Sequence, residues 1–157
     1  MSEIQIRRAR VGETGALVEL WMLMMAEHQR MDPSIRLTSD AAKHYQSYLH
    51  SHLLDVSAIV LVAIEDRRPV GFTLAMKCQN LPMFEPEHYG YISDMVVHPS
   101  QRGRGLGQEM LRRTEDWLRR QGVSSVQLQV YTGNEPGQRF WSRAGFRPFL
   151  QRMWLEL

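Results

Sequence analysis

The sequence predicts a single mixed α/β domain spanning residues 1–157, and three observations carry that expectation. A length of 157 residues fits one domain and leaves little room for a second. Short alternating or compact apolar runs exchange with stretches of helical period along the whole chain. No linker, internal repeat or low-complexity segment divides it. A chain of this size buries most of the surface its unfolded form exposes, so it needs no disulfide or metal staple.

The elements follow in order. Residues 4–10 alternate, with Ile4 and Ile6 on one face, and read as a short first strand. Residues 12–31 place Ala16, Leu17, Leu20, Leu23, Met24 and His28 at helical spacing. Thr14 caps that helix or lies just inside its start, and Asp32-Pro33-Ser34 breaks it. Thr38-Ser39-Asp40 opens a second helix to about Leu54, with Ala41, Tyr45, Tyr48, Leu49 and His52 available for burial. Residues 57–65 form a compact apolar run, a central strand, and residues 70–79 return as its hairpin partner after the turn at 65–69. A Pro-containing loop covers 80–87, and a further strand, 89–98, stops at Pro99. After a Gly/Arg loop at 102–107, a helix runs to about Gln121 on the stripe Leu106, Met110, Leu111, Thr114, Trp117 and Leu118, and Gly122 ends it. Residues 125–132 alternate as a half-buried strand, 134–144 form a short helix ended by Gly145, and 146–157 close the chain as one strand or two. The expected order is β-αα-ββ-β-α-β-α-β.

Composition narrows the function. The single Cys78 excludes a disulfide framework and a multi-Cys zinc site. No run of about 18 apolar residues exists, so no membrane span is expected. The polar N-terminal stretch, residues 1–10, does not read as a signal peptide, and a cytoplasmic protein is the expectation. The net charge of +2 is unevenly spread: residues 1–101 carry 9 basic and 12 acidic groups, residues 102–152 carry 10 Arg against 4 acidic groups. Arg is the better bidentate partner for phosphate. The split points to a phosphorylated ligand near the C-terminal third, against the plainer reading of solvated helix faces.

The informative stretch is Val96-Val97-His98-Pro99-Ser100-Gln101-Arg102-Gly103-Arg104-Gly105-Leu106-Gly107-Gln108-Glu109. A strand runs into alternating glycines that open a helix. Glycine lets successive backbone N–H groups turn toward one point, and the helix N-terminus adds partial positive charge. Together they suit a phosphate or pyrophosphate. The dinucleotide fingerprint G-x-G-x-x-G fails, because Gln108 or Met110 stands where its last glycine belongs, and the nucleotide P-loop fails for want of Lys. The pattern that fits is R-x-x-G-x-G, at Arg102, Gly105 and Gly107.

This loop resembles the acetyl-CoA loop of the GNAT superfamily of N-acetyltransferases. Tyr91-Ile92-Ser93-Asp94-Met95-Val96-Val97-His98-Pro99 is similar to that family's fourth strand. The segment with Asn134, Gly137, Phe140, Trp141, Gly145 and Phe146 resembles its later N-x-x-A-x-x-F-Y-x-x-x-G-F run. The order of elements matches over essentially the whole chain. The resemblance implies a mixed, mostly antiparallel central sheet flanked by helices, with the fourth and fifth strands splayed apart and the pantetheine arm of acetyl-CoA in the gap. It implies that the backbone of Met95, Val96 and Val97 pairs with that arm. It implies that backbone N–H groups from Arg102 or Gly103 through Arg104, Gly105, Leu106, Gly107 and Gln108 hold the pyrophosphate. Asn134 would cap the short helix and face the pantetheine, and Trp141 would pack near the thiol end. Arg102, Arg104 and Arg139 are open candidates for the 3′-phosphate.

The implied reaction is direct acetyl transfer from the thioester to a primary amine, which needs a base for the ammonium, donors for the carbonyl oxygen and an acid for the departing thiolate. Asp94 is the candidate base. Its competing role is structural, holding backbone at the bulge. Many relatives have Glu where this chain has Ser93, and Tyr where it has Trp141. An indole N–H is a donor but no useful proton source near neutral pH. Tyr131, or water, is the substitute acid. Glu85, Glu87 and His88 could act through water. The reading from a different class is a CoA-binding regulatory module with little catalysis; a nucleotide-binding protein is the third.

Other features point elsewhere. Cys78 reads as a small buried hydrophobe, and His44, His50 and His52 do not share a helix side, so no metal is expected. Met22, Met24, Met25 and Met31 read as core or as the wall of an acceptor pocket, with Glu27 and His28 nearby to meet a cation. The Arg pairs 112/113 and 119/120 interleave with acidic residues, so no nucleic acid is expected. The resemblance leaves room for a homodimer paired through the edge at 146–157.

Overall fold

The structure, a computed structural model, describes residues 3–157. Met1 and Ser2, which begin the polar stretch discussed above, lie outside the described residues. The strands are β1 (Gln5–Arg8), β2 (Ala58–Glu65), β3 (Arg68–Gln79), β4 (His88–Val97) and β5 (Val126–Leu128), and the helices are α1 (Thr14–Met31), α2 (Ala41–Leu53), α3 (Leu106–Arg120) and α4 (Glu135–Arg143). The sheet runs in the order β1-β2-β3-β4-β5. Every pair is antiparallel except β4–β5, which is parallel. The tight turn at Asp66 and Arg67, both at positive φ, joins the β2–β3 hairpin.

The apolar run of β2 is buried on both faces because helices cover the sheet on each side. One core gathers Ile59, Leu61, Ala63, Ala75 and Ile92 against the α3 stripe. The other gathers Val60, Val62, Phe72, Leu74 and Val96 against Leu17, Leu20, Tyr45 and Leu49 of α1 and α2. The α3 stripe is buried as its spacing predicts, Leu106 through Leu118. In α1 the buried set is Thr14, Leu17, Val18, Leu20 and Met25, whereas Leu23 is exposed.

Two expectations need correction. The strand expected at 125–132 is cut to Val126–Leu128, because among the described residues its one ladder is with Gly90–Ile92 and pairing ceases there. The strand or strands expected at 146–157 do not form among the described residues. Phe146 packs onto the core, but residues 147–157 have no sheet partner, and all of them are exposed. Apolar alternation supplies the propensity for a strand; without a partner edge its N–H and C=O groups stay with water.

Candidate active site

The site is set by one irregularity. In the β3–β4 ladder Leu74 opposes Asp94 and Ala75 opposes Ile92, so Ser93 is the extra residue of a bulge. A one-residue slip moves the following side chains to the other face of the sheet. Ile92 accordingly belongs to the α3-side core, while Val96, four residues on, belongs to the α1/α2-side core. Asp94 is thereby carried to the α1/α2 side, and Met95 and Val97 pack against the α3-side core.

Past the bulge β4 and β5 part. Their register ends at Ile92↔Leu128, so residues 93–97 have no ladder partner on the β5 side. The chain then passes through a short 3-10 turn, Pro99–Gln101, and enters α3. Gly103 and Gly105 are both left-handed, at φ 74° and 81°, a conformation costly for residues with a Cβ. Gly105 is the N-cap of α3, so the N–H groups of Leu106, Gly107 and Gln108 lack intrahelical acceptors and point out of the helix end. A Cβ on Gly105 would have nothing nearer than Gln108 Oε1 at 4.0 Å, so the space before the helix end is open. Gly107 has a different purpose: a Cβ there would lie 3.2 Å from the Phe140 ring, so its small size lets α3 and α4 approach. An open cradle of N–H groups at a helix N-terminus, next to an unpaired strand edge, fits a pyrophosphate joined to a pantetheine arm.

The charged side chains around the loop are engaged. Arg102 donates to Val97 O at 3.3 Å and to Glu27 Oε2 at 2.9 Å. Arg104 turns to Gln101 and lies 3.7 Å from Glu65. Arg139, on α4, is 3.9 Å from Glu135 and largely exposed. Asn134 caps α4, its Oδ1 accepting from Gly137 N at 3.0 Å. Trp141 packs edge-on against Phe140 and Phe146, at 4.9 and 5.3 Å between ring centres, and its ring rests on the α3-side core.

On the α1/α2 side, Asp94 accepts from Ser93 Oγ at 2.7 Å, and Tyr48 OH lies 3.1 Å from the same Ser93 Oγ. The Trp21 indole and the Tyr45 hydroxyl are also turned to Asp94, the hydroxyl outside hydrogen-bond geometry. Burial pushes the Asp94 carboxyl above the usual carboxylate range; the Ser93 hydroxyl as donor, the nearby Tyr45 and Trp21 dipoles and the neighbouring His28 pull the other way. Burial likewise drives the Tyr45 hydroxyl up, with Asp94 adding to it. Trp21 and Tyr45 stack at 4.1 Å and 7°, which fixes both rings beside the carboxylate. Tyr131 follows β5, is partly exposed, and meets the His28 ring edge-on at 5.1 Å. Helical spacing had placed Tyr45 in the core; that it also borders Asp94, with Trp21, has no signal in a single sequence, because three separate elements make the contact.

These features match a known family along the chain: the model of the acetyltransferase (GNAT) family aligns with residues 20–146. The chain belongs to the GNAT family. The BH1408 protein of Bacillus halodurans, solved as a tetramutant, superimposes with a TM-score of 0.85 at 24% identity, covering 98% of this chain and 99% of that one. A predicted acetyltransferase of Clostridium acetobutylicum, solved with acetyl-CoA, gives a TM-score of 0.74 at 21% identity, covering 99% and 96%. Among curated relatives, thialysine N-epsilon-acetyltransferase of Bos taurus is 23% identical over 92% of this chain and 85% of its own length. An uncharacterized N-acetyltransferase of Methanocaldococcus jannaschii, MJ1207, is 30% identical over 50% of this chain, and the matched part is 34% of that protein's length. Among the described residues no helix is long and apolar enough to cross a membrane, and no group of three or more His, Cys, Asp or Glu is placed to hold a metal ion.

Proposed function

We propose that this GNAT chain transfers an acetyl group from acetyl-CoA directly to a primary amine that is cationic at neutral pH. One observation carries the reading: β4 and β5 part after Ile92↔Leu128, just before the strand delivers the chain to the left-handed glycines that open α3. The gap accepts the pantetheine along Met95, Val96 and Val97. The N–H groups at Gly103 to Gln108 take the pyrophosphate, with Arg102 and Arg104 as flanking charge. Asn134 and Trp141 bound the gap from the α4 side.

In this scheme the ammonium first loses one proton to free its lone pair, the amine nitrogen attacks the thioester carbonyl carbon, the carbon–sulfur bond breaks, and the second nitrogen proton balances the one taken up by the thiolate. A backbone N–H near Met95 or Val96 supports the carbonyl oxygen as it gains charge. Asp94 supplies the carboxylate that favours a cationic acceptor, and the Tyr131 hydroxyl returns a proton to the CoA thiolate. Thialysine, the amine named for the activity of the Bos taurus relative, agrees with this acceptor class.

The test is ligand-specific stabilisation coupled to product mass. At about a hundredfold excess over Kd, acetyl-CoA should add about 2.7 kcal/mol to folding, roughly 5–10 °C in Tm. ATP and NAD should add nothing, and an accepting amine should gain one acetyl group by mass spectrometry. Stabilisation by ATP or NAD but not by CoA contradicts the cradle assignment; binding without acetylation of any amine supports a regulatory module instead.

The same reading includes a homodimer. Residues 147–157 keep Leu150 86% and Trp154 76% exposed, among further apolar side chains, and a second copy offers matching sheet edge at β5. Light scattering after gel filtration should give twice the chain mass, and Leu150→Asp should return the monomer with acetyl-CoA binding intact. A wild-type monomer at micromolar concentration contradicts the dimer.

A further inference from the structure

The C-terminal end of α1 bridges the parted strands. Glu27 reaches Arg102, just beyond β4, at 2.9 Å. Met31 is within 3.6 Å of where a Gly133 Cβ would lie, in the segment after β5. Between these two anchors His28 points inward. Its ring meets Tyr131 on the β5 side at 5.1 Å and lies within electrostatic reach of Asp94 on the β4 side. Its Nδ1 is buried and has no hydrogen-bond partner. Nδ1 is enclosed, so proton exchange with an incoming amine falls to Nε2, and the neutral ring that accepts there carries its own proton on Nδ1.

We propose that His28 is the proton acceptor for the incoming amine, and that Asp94 acts on it electrostatically instead of taking the proton itself. The inference rests on the acetyl-transfer reading above. The imidazole takes one proton from the ammonium, which frees the nitrogen lone pair; the nitrogen then bonds to the thioester carbonyl carbon, the carbon–sulfur bond breaks, the second N–H proton reaches the departing thiolate through Tyr131 or water, and the imidazolium releases its proton to solvent. Atoms and charge balance: ammonium and thioester become amide, thiol and one released proton.

The surroundings suit that role. One Asp94 oxygen is already occupied by the Ser93 Oγ donor at 2.7 Å, and the carboxylate is placed as a counter-charge for an imidazolium. The groups facing His28 are Glu27 on its own helix, itself paired with Arg102, Asp94 on β4 and Tyr131 after β5. Burial lowers the His28 pKa, and Glu27 and Asp94 offset part of that, so the ring is neutral and ready to accept near pH 7. The sequence offers His28 as a position on a helical stripe and, with Glu27, as a group to meet a cation, but not its meeting with Asp94 and Tyr131, which are distant in the chain.

The test compares wild type with His28→Gln and His28→Ala across pH, with Kd for acetyl-CoA and circular dichroism as controls for site and fold. The expected result is a kcat/KM loss of about 100-fold or more with acetyl-CoA affinity within about threefold. Wild type should show an acidic limb with an apparent pKa below 6.5, missing from both variants. Added imidazole should restore part of the His28→Ala rate in proportion to its neutral form. Turnover within about threefold of wild type in His28→Gln, or an unchanged acidic limb, overturns this inference alone. A wild-type chain that binds acetyl-CoA yet acetylates no amine overturns the parent reading and this one with it.

Discussion

The two sides of the β4–β5 gap are made from different parts of the polypeptide. On the α3 side the site is backbone: left-handed Gly103 and Gly105, the unshared N–H groups of the first α3 turn, and the unpaired edge of β4. On the α1/α2 side it is side chains: Asp94, Ser93, Trp21, Tyr45, Tyr48 and His28, drawn from β4 and two helices and turned toward one another by the bulge at Ser93. A backbone site tolerates any side chain that preserves φ and space. A side-chain site tolerates little change in chemistry. The two sides should therefore fail in different ways.

The largest effect is expected from Gly105→Glu. A Cβ at φ 81° is strained, and the carboxylate would enter the open space before the helix end. Calorimetry should show acetyl-CoA affinity weakened at least about 100-fold. Retained affinity would mean that the cradle is not where the pyrophosphate lies.

Asp94→Asn probes the other side and should separate activity from stability. Because burial raises the Asp94 pKa above its unfolded value, its ionisation in the folded state opposes folding. That cost is absent below the unfolded pKa and grows as pH rises past it. The variant should therefore have a Tm equal to or above wild type at pH 8, with kcat/KM down about 10- to 100-fold and acetyl-CoA affinity unchanged. A lower Tm with unchanged kcat/KM would make Asp94 a structural residue of the bulge.

Gly107→Ala is a milder test of the α3 side. The added methyl sits 3.2 Å from Phe140, so the α3–α4 contact must give slightly. Overpacking of this kind costs about 1–3 kcal/mol, which thermal denaturation would register, while acetyl-CoA affinity should stay within about threefold. A loss of affinity as large as that of Gly105→Glu would erase the distinction between a glycine needed for the ligand and one needed for packing.

The smallest effect lies outside both. Glu109 is held to a pKa of about 2, first by Arg112 and Arg113 as hydrogen-bond donors. Its depressed value contributes stability above the unfolded value of 4.5 that is lost as pH falls toward 2. The carboxylate is 38% exposed, so solvent screens most of this. Glu109→Gln should change stability at pH 7 by less than about 0.5 kcal/mol, with catalysis untouched. A larger loss would mean that the arginine cluster on α3 contributes to the cradle.

The same contrast explains what the sequence made legible. The order of elements, the α3 stripe and the cradle could be read because each depends on local spacing: helical period for Leu106 to Leu118, alternating glycines for the loop. The Asn134 cap came from the family resemblance, and Asn134 Oδ1 does accept from Gly137 N at 3.0 Å. The bulge at Ser93 was not, because it exists only as register against Leu74 and Ala75. Nor was the meeting of Trp21, Tyr45 and His28 with Asp94, which depends on how α1 and α2 cross the sheet. The strand expected at 146–157 failed for a related reason: alternation gives propensity, and pairing gives a strand.

Release of free thiol from acetyl-CoA across a broad panel of primary amines tests the central claim most directly. The account predicts one thiol per acetylated amine with at least one cationic acceptor, and none with Gly105→Glu. Tight acetyl-CoA binding with no thiol release on any amine would contradict it.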